Sequence, residues 1–226
     1  MNAWQTSRFC IDLSRPRVMG IVNVTPDSFA DGGLYARSEA AMAHCERLCE
    51  QGADILDIGG ESTRPGARPP GFEEERARVL PVLRHALRLG VPVSLDTQHT
   101  ALMREALDEG VDIINDVRAL RGNGAAQAVA AHPRAGVCLM HMNGEPATMQ
   151  HEPVYSDVVA EVMLFLADRA RQLQALGVAR ERIVLDPGIG FGKTAAHNIE
   201  LHRRQHELLE LGFPLLVGWS RKSTLG

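Results

Sequence analysis

Seven short apolar runs recur along the chain, each followed by a polar or glycine-rich turn and then by a longer amphipathic segment. They are "RVMGIVNV" ending near Val24, "DILDIGG" near Gly60, "VPVSLD" at Asp96, "VDIIND" at Asp116, "AGVCLMH" at His141, "RIVLDPG" at Gly188 and "FPLLVGWS" at Ser220. These runs do not alternate apolar and polar residues. They suit strands of a parallel sheet covered on both faces. The intervening segments carry helical periodicity. In residues 155–176, Tyr155, Val159, Val162, Leu166, Ala170 and Leu173 form one stripe at spacings of three and four. Residues 71–90 do likewise with Phe72, Leu80, Leu83 and Leu87. There Glu73, Glu74 and Glu75 suit the positive end of a helix dipole.

Alternating strand and helix leaves two architectures, a doubly wound open sheet or a (β/α)8 TIM barrel. An open sheet gathers its ligand groups at one crevice. A barrel builds its site from all the loops at the C-terminal face of the strands. Here polar residues stand at almost every strand end: Asn23, the "GGESTRPGA" turn, Asp96, Asn115 with Asp116, His141, Asp186, then Ser220, Arg221 and Lys222. The barrel is therefore expected, as one domain over residues 1–226, since no linker or composition shift divides the chain. A barrel needs eight strands and seven are counted. The expected fold is thus a barrel truncated after strand 7, C-terminally incomplete, with the eighth strand and last helix missing.

Carboxylates and amides capping buried strands would face one another across the barrel mouth. Such a ring suits a flat heterocycle whose edge alternates donors and acceptors, because Asp accepts, Asn does both and Lys donates. Bulk properties offer no other ligand class. With 24 basic against 28 acidic residues the net charge is −4, and aromatics make up 4%, so neither nucleic acid nor an anionic membrane is drawn to the chain as a whole. A bound anion must be held by a local site.

The four cysteines, Cys10, Cys45, Cys49 and Cys138, include no CxxC pair and read as reduced thiols. Cys45, Cys49 and neighbouring His44 lack a second ligand pair at zinc spacing and read as structural. No run reaches the roughly 18 apolar residues of a membrane span, and no signal core opens the chain. A cytoplasmic protein is expected. One motif invites a wrong turn. "PGIGFGKT" at residues 187–194 looks like a phosphate loop, but the glycine that motif requires falls on Pro187, and Gly188 leaves the spacing one residue short.

Taken in order, "MGIVNVTPDSFADGG", "DIGGESTRPGA", "SLDT", "IIND", "LMHM", "DPGIGFGKT" and "GWSRKS" resemble dihydropteroate synthases, over essentially the whole chain. That family has a (β/α)8 barrel and joins 4-aminobenzoate to 6-hydroxymethyl-7,8-dihydropterin diphosphate, releasing pyrophosphate in folate biosynthesis; it is the target of sulfonamides. By matching position, the resemblance implies that Asp96, Asn115, Asp186 and Lys222 hold the pterin ring. Asn23 would ligate Mg²⁺ on the diphosphate, with Asp31 a further ligand. Thr63 and Arg64 would reach the diphosphate and aminobenzoate. Phe29, Pro65 and Ser223 would form the aminobenzoate pocket with Arg221 at its rim, and Met140 and Phe191 would pack on the ligands. Asp96, Asp186, Lys222 and Arg64 would carry the chemistry, and a homodimer is implied.

Those roles suit a reaction in which positive charge develops on the pterin methylene and negative charge on pyrophosphate. Closing loops would exclude water from the cation. The family's eighth strand bears an Arg-x-His site for the diphosphate that this chain lacks, so weak diphosphate binding and slow turnover are expected of these 226 residues. Two rivals share the pterin site. A pterin-binding methyltransferase barrel has no use for "GGESTRPG" or "SRKS", and a non-catalytic paralogue would bind pterin without releasing pyrophosphate.

Overall fold

A computed structural model describes residues 3–25, 34–61, 69–144, 149, 153–220 and 222. Two short strands, β1 (Ala3–Gln5) and β2 (Cys10–Asp12), pair antiparallel. Six further strands follow: β3 (Met19–Asn23), β4 (Ile55–Gly59), β5 (Val93–Asp96), β6 (Ile113–Asp116), β7 (Gly136–Met140) and β8 (Ile183–Asp186). They form one parallel sheet in chain order. Helices α1 (Leu34–Glu50), α2 (Phe72–Ala86), α3 (Thr100–Asp108), α4 (Ala125–Ala131) and α5 (Val158–Ala175) connect successive strands, and α6 (Ala195–Arg203) and α7 (Gln205–Leu209) follow β8. Each of the first six apolar runs is therefore a strand.

The seventh run is reduced. It touches β8 through one parallel bridge, Leu185 to Leu215, supported by Leu185 N–H to the Pro214 carbonyl at 3.0 Å and Leu216 N–H to the Leu185 carbonyl at 2.9 Å. This is the seventh stave of a barrel in its expected place. The barrel is not closed among the described residues, because β3 pairs with β4 alone.

Strand parity sorts the side chains into two layers, since successive residues point to opposite faces. Val22, Leu56, Ile58, Leu95, Ile114, Val137, Leu139 and Leu185 pack outward into one core with the helices. There α5 contributes the expected stripe of Val159, Val162, Leu166, Ala170 and Leu173, all buried. Gly20 also faces outward, where a Cβ would stand 3.1 Å from Leu48 of α1. Ile21 and Asn23 consequently face the lumen. Ile21 is 48% exposed, beside the edge of β3 that has no paired strand among the described residues.

The lower lumen is apolar and plugged. Ile55, Ile113, Cys138 and Val184 pack against Trp4 and Ile11 of the hairpin, which seals the N-terminal end of the barrel. Trp4 Nε1–H donates to the Arg182 carbonyl at 2.9 Å. Gly136 is required there, because a Cβ would lie 3.0 Å from Trp4 Nε1 and 3.2 Å from the Gln5 carbonyl oxygen. Buried Asp112 fixes the turn between the hairpin strands. It accepts from Arg8 N–H at 3.0 Å and Arg8 Nη2 at 2.5 Å, and from Val93 N–H at 2.9 Å. The hairpin closes this end of the lumen and leaves the opposite end, where the strands terminate in polar residues, to receive a ligand.

Candidate active site

Above the apolar plug the lumen turns polar. Asn23, Gly59, Asp96 and Asn115 lie in lateral register at the ends of β3, β4, β5 and β6. Met140 and Asp186 are register partners at the ends of β7 and β8. Lys222 follows the seventh run, and its ammonium stands 4.0 Å from the centre of the Phe191 ring. Five of the residues expected at the mouth thus converge there (Asn23, Asp96, Asn115, Asp186 and Lys222), with Met140 and Phe191 beside them. Phe29, Asp31, Thr63, Arg64, Pro65, Arg221 and Ser223 lie outside the described residues.

Electrostatically this end is acidic. Burial raises Asp186 to about 6; the Gly188 N–H, 2.7 Å from its Oδ1, and the ammonium groups of Lys222 and Lys193 pull it back down. Burial pushes Asp96 well above the usual carboxylate range, and the charges of Asp57, Asp116, Glu75 and Glu61 add to the rise. Burial lowers Lys222, opposed by Asp186 and Asp96. Among the described residues the pocket offers the Lys222 ammonium amid carboxyl groups and the amides of Asn23 and Asn115, a donor and acceptor set that fits a planar, nitrogen-rich ring.

Two of the strand-end residues do not join the ring. Asp116 points outward and caps its own turn, accepting from Arg118 N–H at 2.8 Å and Leu120 N–H at 2.9 Å. That turn holds Ala119 and Leu120 at φ of 52° and 56°, and Arg169 of α5 secures it by donating to both their carbonyls, at 2.9 and 3.1 Å. His141 also points outward, edge-on to Phe165 with ring centres 5.0 Å apart. Parity is the reason: Asn115 and Met140 face the lumen, so the residues after them cannot.

The turn 187–194 is not a phosphate cradle. Its lysine, Lys193, is 3% exposed and turns inward. Nζ lies 2.9 Å from His141 Nδ1, 3.0 Å from the Gly188 and Phe191 carbonyls and 3.3 Å from the His141 carbonyl. Burial brings this ammonium down to about 7 and His141 to about 3, so the imidazole is neutral and accepts. Gly188 at φ 67° lets the turn pass beneath β7, because a Cβ there would be driven into the His141 carbonyl. The lysine thereby sets where Phe191, and with it Lys222, can sit.

The flanks of "GGESTRPGA" are held by the turn after β5. Gln98 Nε2 donates to both carboxylate oxygens of Glu61, at 2.6 and 2.7 Å, and His99 Nε2 lies 3.3 Å from the Pro70 carbonyl. Gly60 packs on α2, where a Cβ would come within 2.7 Å of both Glu75 and Val79. Glu75 itself is fully buried, 3.6 Å from His99 Nε2. It stands in the first turn of α2, as expected from sequence, and also forms the floor under Gly60. Sequence reasoning also passed over Asp57, a lumen carboxylate one layer below the ring.

The family described as pterin binding enzyme matches residues 19–226. A dihydropteroate synthase of Neisseria meningitidis serogroup B (strain ATCC BAA-335 / MC58) is 55% identical over 230 residues, covering 100% of this chain and 81% of its own length. The Xanthomonas albilineans dihydropteroate synthase solved with 4-aminobenzoic acid superposes with a TM-score of 0.92 at 48% identity, over 99% of this chain and 81% of that one. The Yersinia pestis enzyme, solved with a sulfonamide drug complex, gives 0.92 at 45% identity over 99% and 82%. The pocket of Asp96, Asn115, Asp186 and Lys222 is thus set in a barrel shared with these enzymes, and the chain belongs to the pterin-binding enzyme family, among its dihydropteroate synthases.

Proposed function

We infer that this chain joins the amine of 4-aminobenzoate to the methylene carbon of 6-hydroxymethyl-7,8-dihydropterin diphosphate, forming 7,8-dihydropteroate and releasing pyrophosphate. The observation that carries the reading is the convergence of Asp96, Asn115, Asp186 and Lys222 at the open end of a lumen whose other end is plugged. Asp96, Asn115 and Asp186 hold the ring edge, Lys222 donates to its carbonyl, and Met140 and Phe191 cover its faces. As the carbon–oxygen bond breaks, an ionised Asp186 favours positive charge on the ring. Its position near 6 keeps it ionised at neutral pH and above. Arg64 and Thr63 serve the leaving diphosphate, and Phe29, Pro65, Ser223 and Arg221 receive aminobenzoate; these assignments rest on matching position.

Mg²⁺ takes oxygen ligands and keeps most of its water, so one or two protein groups plus phosphate suffice to hold it. The Asn23 carboxamide, exposed at the lumen end of β3, fits one such position, and Asp31 is assigned from matching position. Among the described residues there is no group of three or more His, Cys, Asp or Glu side chains that could hold a metal ion. Bound Mg²⁺ would neutralise charge on the departing pyrophosphate.

The outer edge of β3 has no paired strand among the described residues, and Ile21 beside it is exposed. Among the described residues no helix is long and apolar enough to cross a membrane. All four cysteines are free, which supports a reducing, cytoplasmic setting. A homodimer completes the proposal and is read by sedimentation. The test of activity is pyrophosphate release with both substrates and Mg²⁺. Release that needs 4-aminobenzoate and is competitively blocked by a sulfonamide is expected; pterin binding without release identifies a non-catalytic paralogue.

A further inference from the structure

Asp57 is a carboxylate in the middle of a barrel strand, 4% exposed, where every neighbour along the chain is apolar or glycine. Its partners in register are Ile21 on β3 and Ser94 on β5. It therefore lies in the lumen layer directly beneath Asn23, Gly59, Asp96 and Asn115. Its carboxylate reaches across β5 to β6, where Asn115 Nδ2 stands 3.3 Å from Oδ2 and 3.5 Å from Oδ1.

Burying a carboxylate costs several kcal/mol unless it is compensated, so a sequence keeps one in a lumen only for a reason. Its neighbours supply that reason. An ionised carboxylate only accepts hydrogen bonds, so the Asn115 amide must turn its nitrogen down and its carbonyl oxygen elsewhere. We propose that Asp57 is a positioning residue for the pterin pocket: by accepting the Asn115 N–H from below, it fixes which amide edge Asn115 presents to the ring. The proposal rests on the reading of this pocket as a pterin site.

The titratable groups around Asp57 and Asp96 couple the two carboxyls. Asp57 is raised by burial, but the side chains of Ser94 and Asn115 pull it back. For Asp96, burial and the charges of Asp57, Asp116, Glu75 and Glu61 all act upward. Cys138 of β7 and Asp186 of β8 face Asp57 as well, the first a thiol held protonated by burial, and Lys222 lies near Asp186 and Asp96. Two adjacent buried carboxyls cannot both ionise readily, and Asp57 carries a hydrogen-bond donor, Asn115 Nδ2.

The test is calorimetric titration of 7,8-dihydropterin diphosphate into wild type, Asp57→Asn, Asn115→Ala and the double variant from pH 5 to 9, with melting temperatures alongside. A pterin affinity lowered about tenfold in Asp57→Asn is expected, the scale of one hydrogen bond to a charged group. The double variant should be no weaker than Asn115→Ala, and the affinity profile should move to lower pH as Asp96 ionises more easily. An Asp57→Asn variant with wild-type affinity and profile overturns the proposal, as does a loss that adds fully to that of Asn115→Ala. Wild type that takes up no pterin overturns the pocket reading and the proposal together. If Asp57→Asn fails to fold, carboxyl carbon-13 titration of wild type decides: Asp57 ionising at lower pH than Asp96 is expected, and the reverse order overturns it.

Discussion

Lys193 Nζ stands 2.9 Å from Nδ1 of His141, a contact that helps tie the turn after β8 to the end of β7. Three backbone carbonyls complete the shell, those of His141, Gly188 and Phe191. A residue that looks like a nucleotide-binding lysine in sequence is in fact the internal strut of the turn bearing Phe191.

Replacing that strut takes a donor from three carbonyls, of which that of Gly188 keeps another, the Phe191 N–H at 3.0 Å. Lys193→Met is expected to cost about 3 kcal/mol, the scale for stripping buried polar groups of their partner. Urea denaturation measures it. A loss under about 0.5 kcal/mol, the size of an ordinary surface substitution, would mean the contacts are incidental.

Gly188 sits at φ 67° with no room for a side chain above the His141 carbonyl. Gly188→Ala therefore combines backbone strain with a collision, and should destabilise by about 2 kcal/mol or more. Gly218 has open space around it and no such φ, so Gly218→Ala is expected within about 0.5 kcal/mol of wild type. Equal effects in parallel thermal melts would refute the steric account.

Glu75 gives stability a pH dependence of known sign. Burial raises its folded pKa from 4.5 to about 7, with Thr97 and the His99 charge acting against the rise. The folded chain thus binds this proton more tightly than the unfolded one. The stabilisation is fully present below 4.5 and is lost as pH rises through about 7. Asp116 and Asp186, each raised to about 6, act in the same direction, so the difference between wild type and Glu75→Gln isolates one group. Urea melts at pH 5 and pH 8 should show the variant gaining on wild type at the higher pH. An identical pH slope in both proteins would show that Glu75 is ionised in the fold.

Much of this was legible in sequence, and the failures share a physical cause. Six apolar runs became strands because burial on both faces leaves continuous apolar runs that mark them. The seventh shrank to a bridge at Leu215, where β8 is its one described neighbour. The hairpin escaped notice because its strands are three residues each, and Trp4 and Ile11 make no periodic signal. At the mouth, Asn115 and Asp116 were grouped as though both could face inward. Alternation forbids that, and the same rule excludes His141 once Met140 is inside. Applied to β4, that rule would also have found Asp57, which shares its face with Gly59 at the mouth.

The central claim is that the ring of Asp96, Asn115, Asp186 and Lys222 binds a dihydropterin. Calorimetric titration of 7,8-dihydropterin diphosphate with Mg²⁺ into this chain tests it most directly. One site per chain is predicted, weakened about tenfold or more by Asp186→Asn and by Lys222→Met, the scale of losing a charge-assisted hydrogen bond. No pterin uptake by wild type, or undiminished affinity in both variants, would contradict the account.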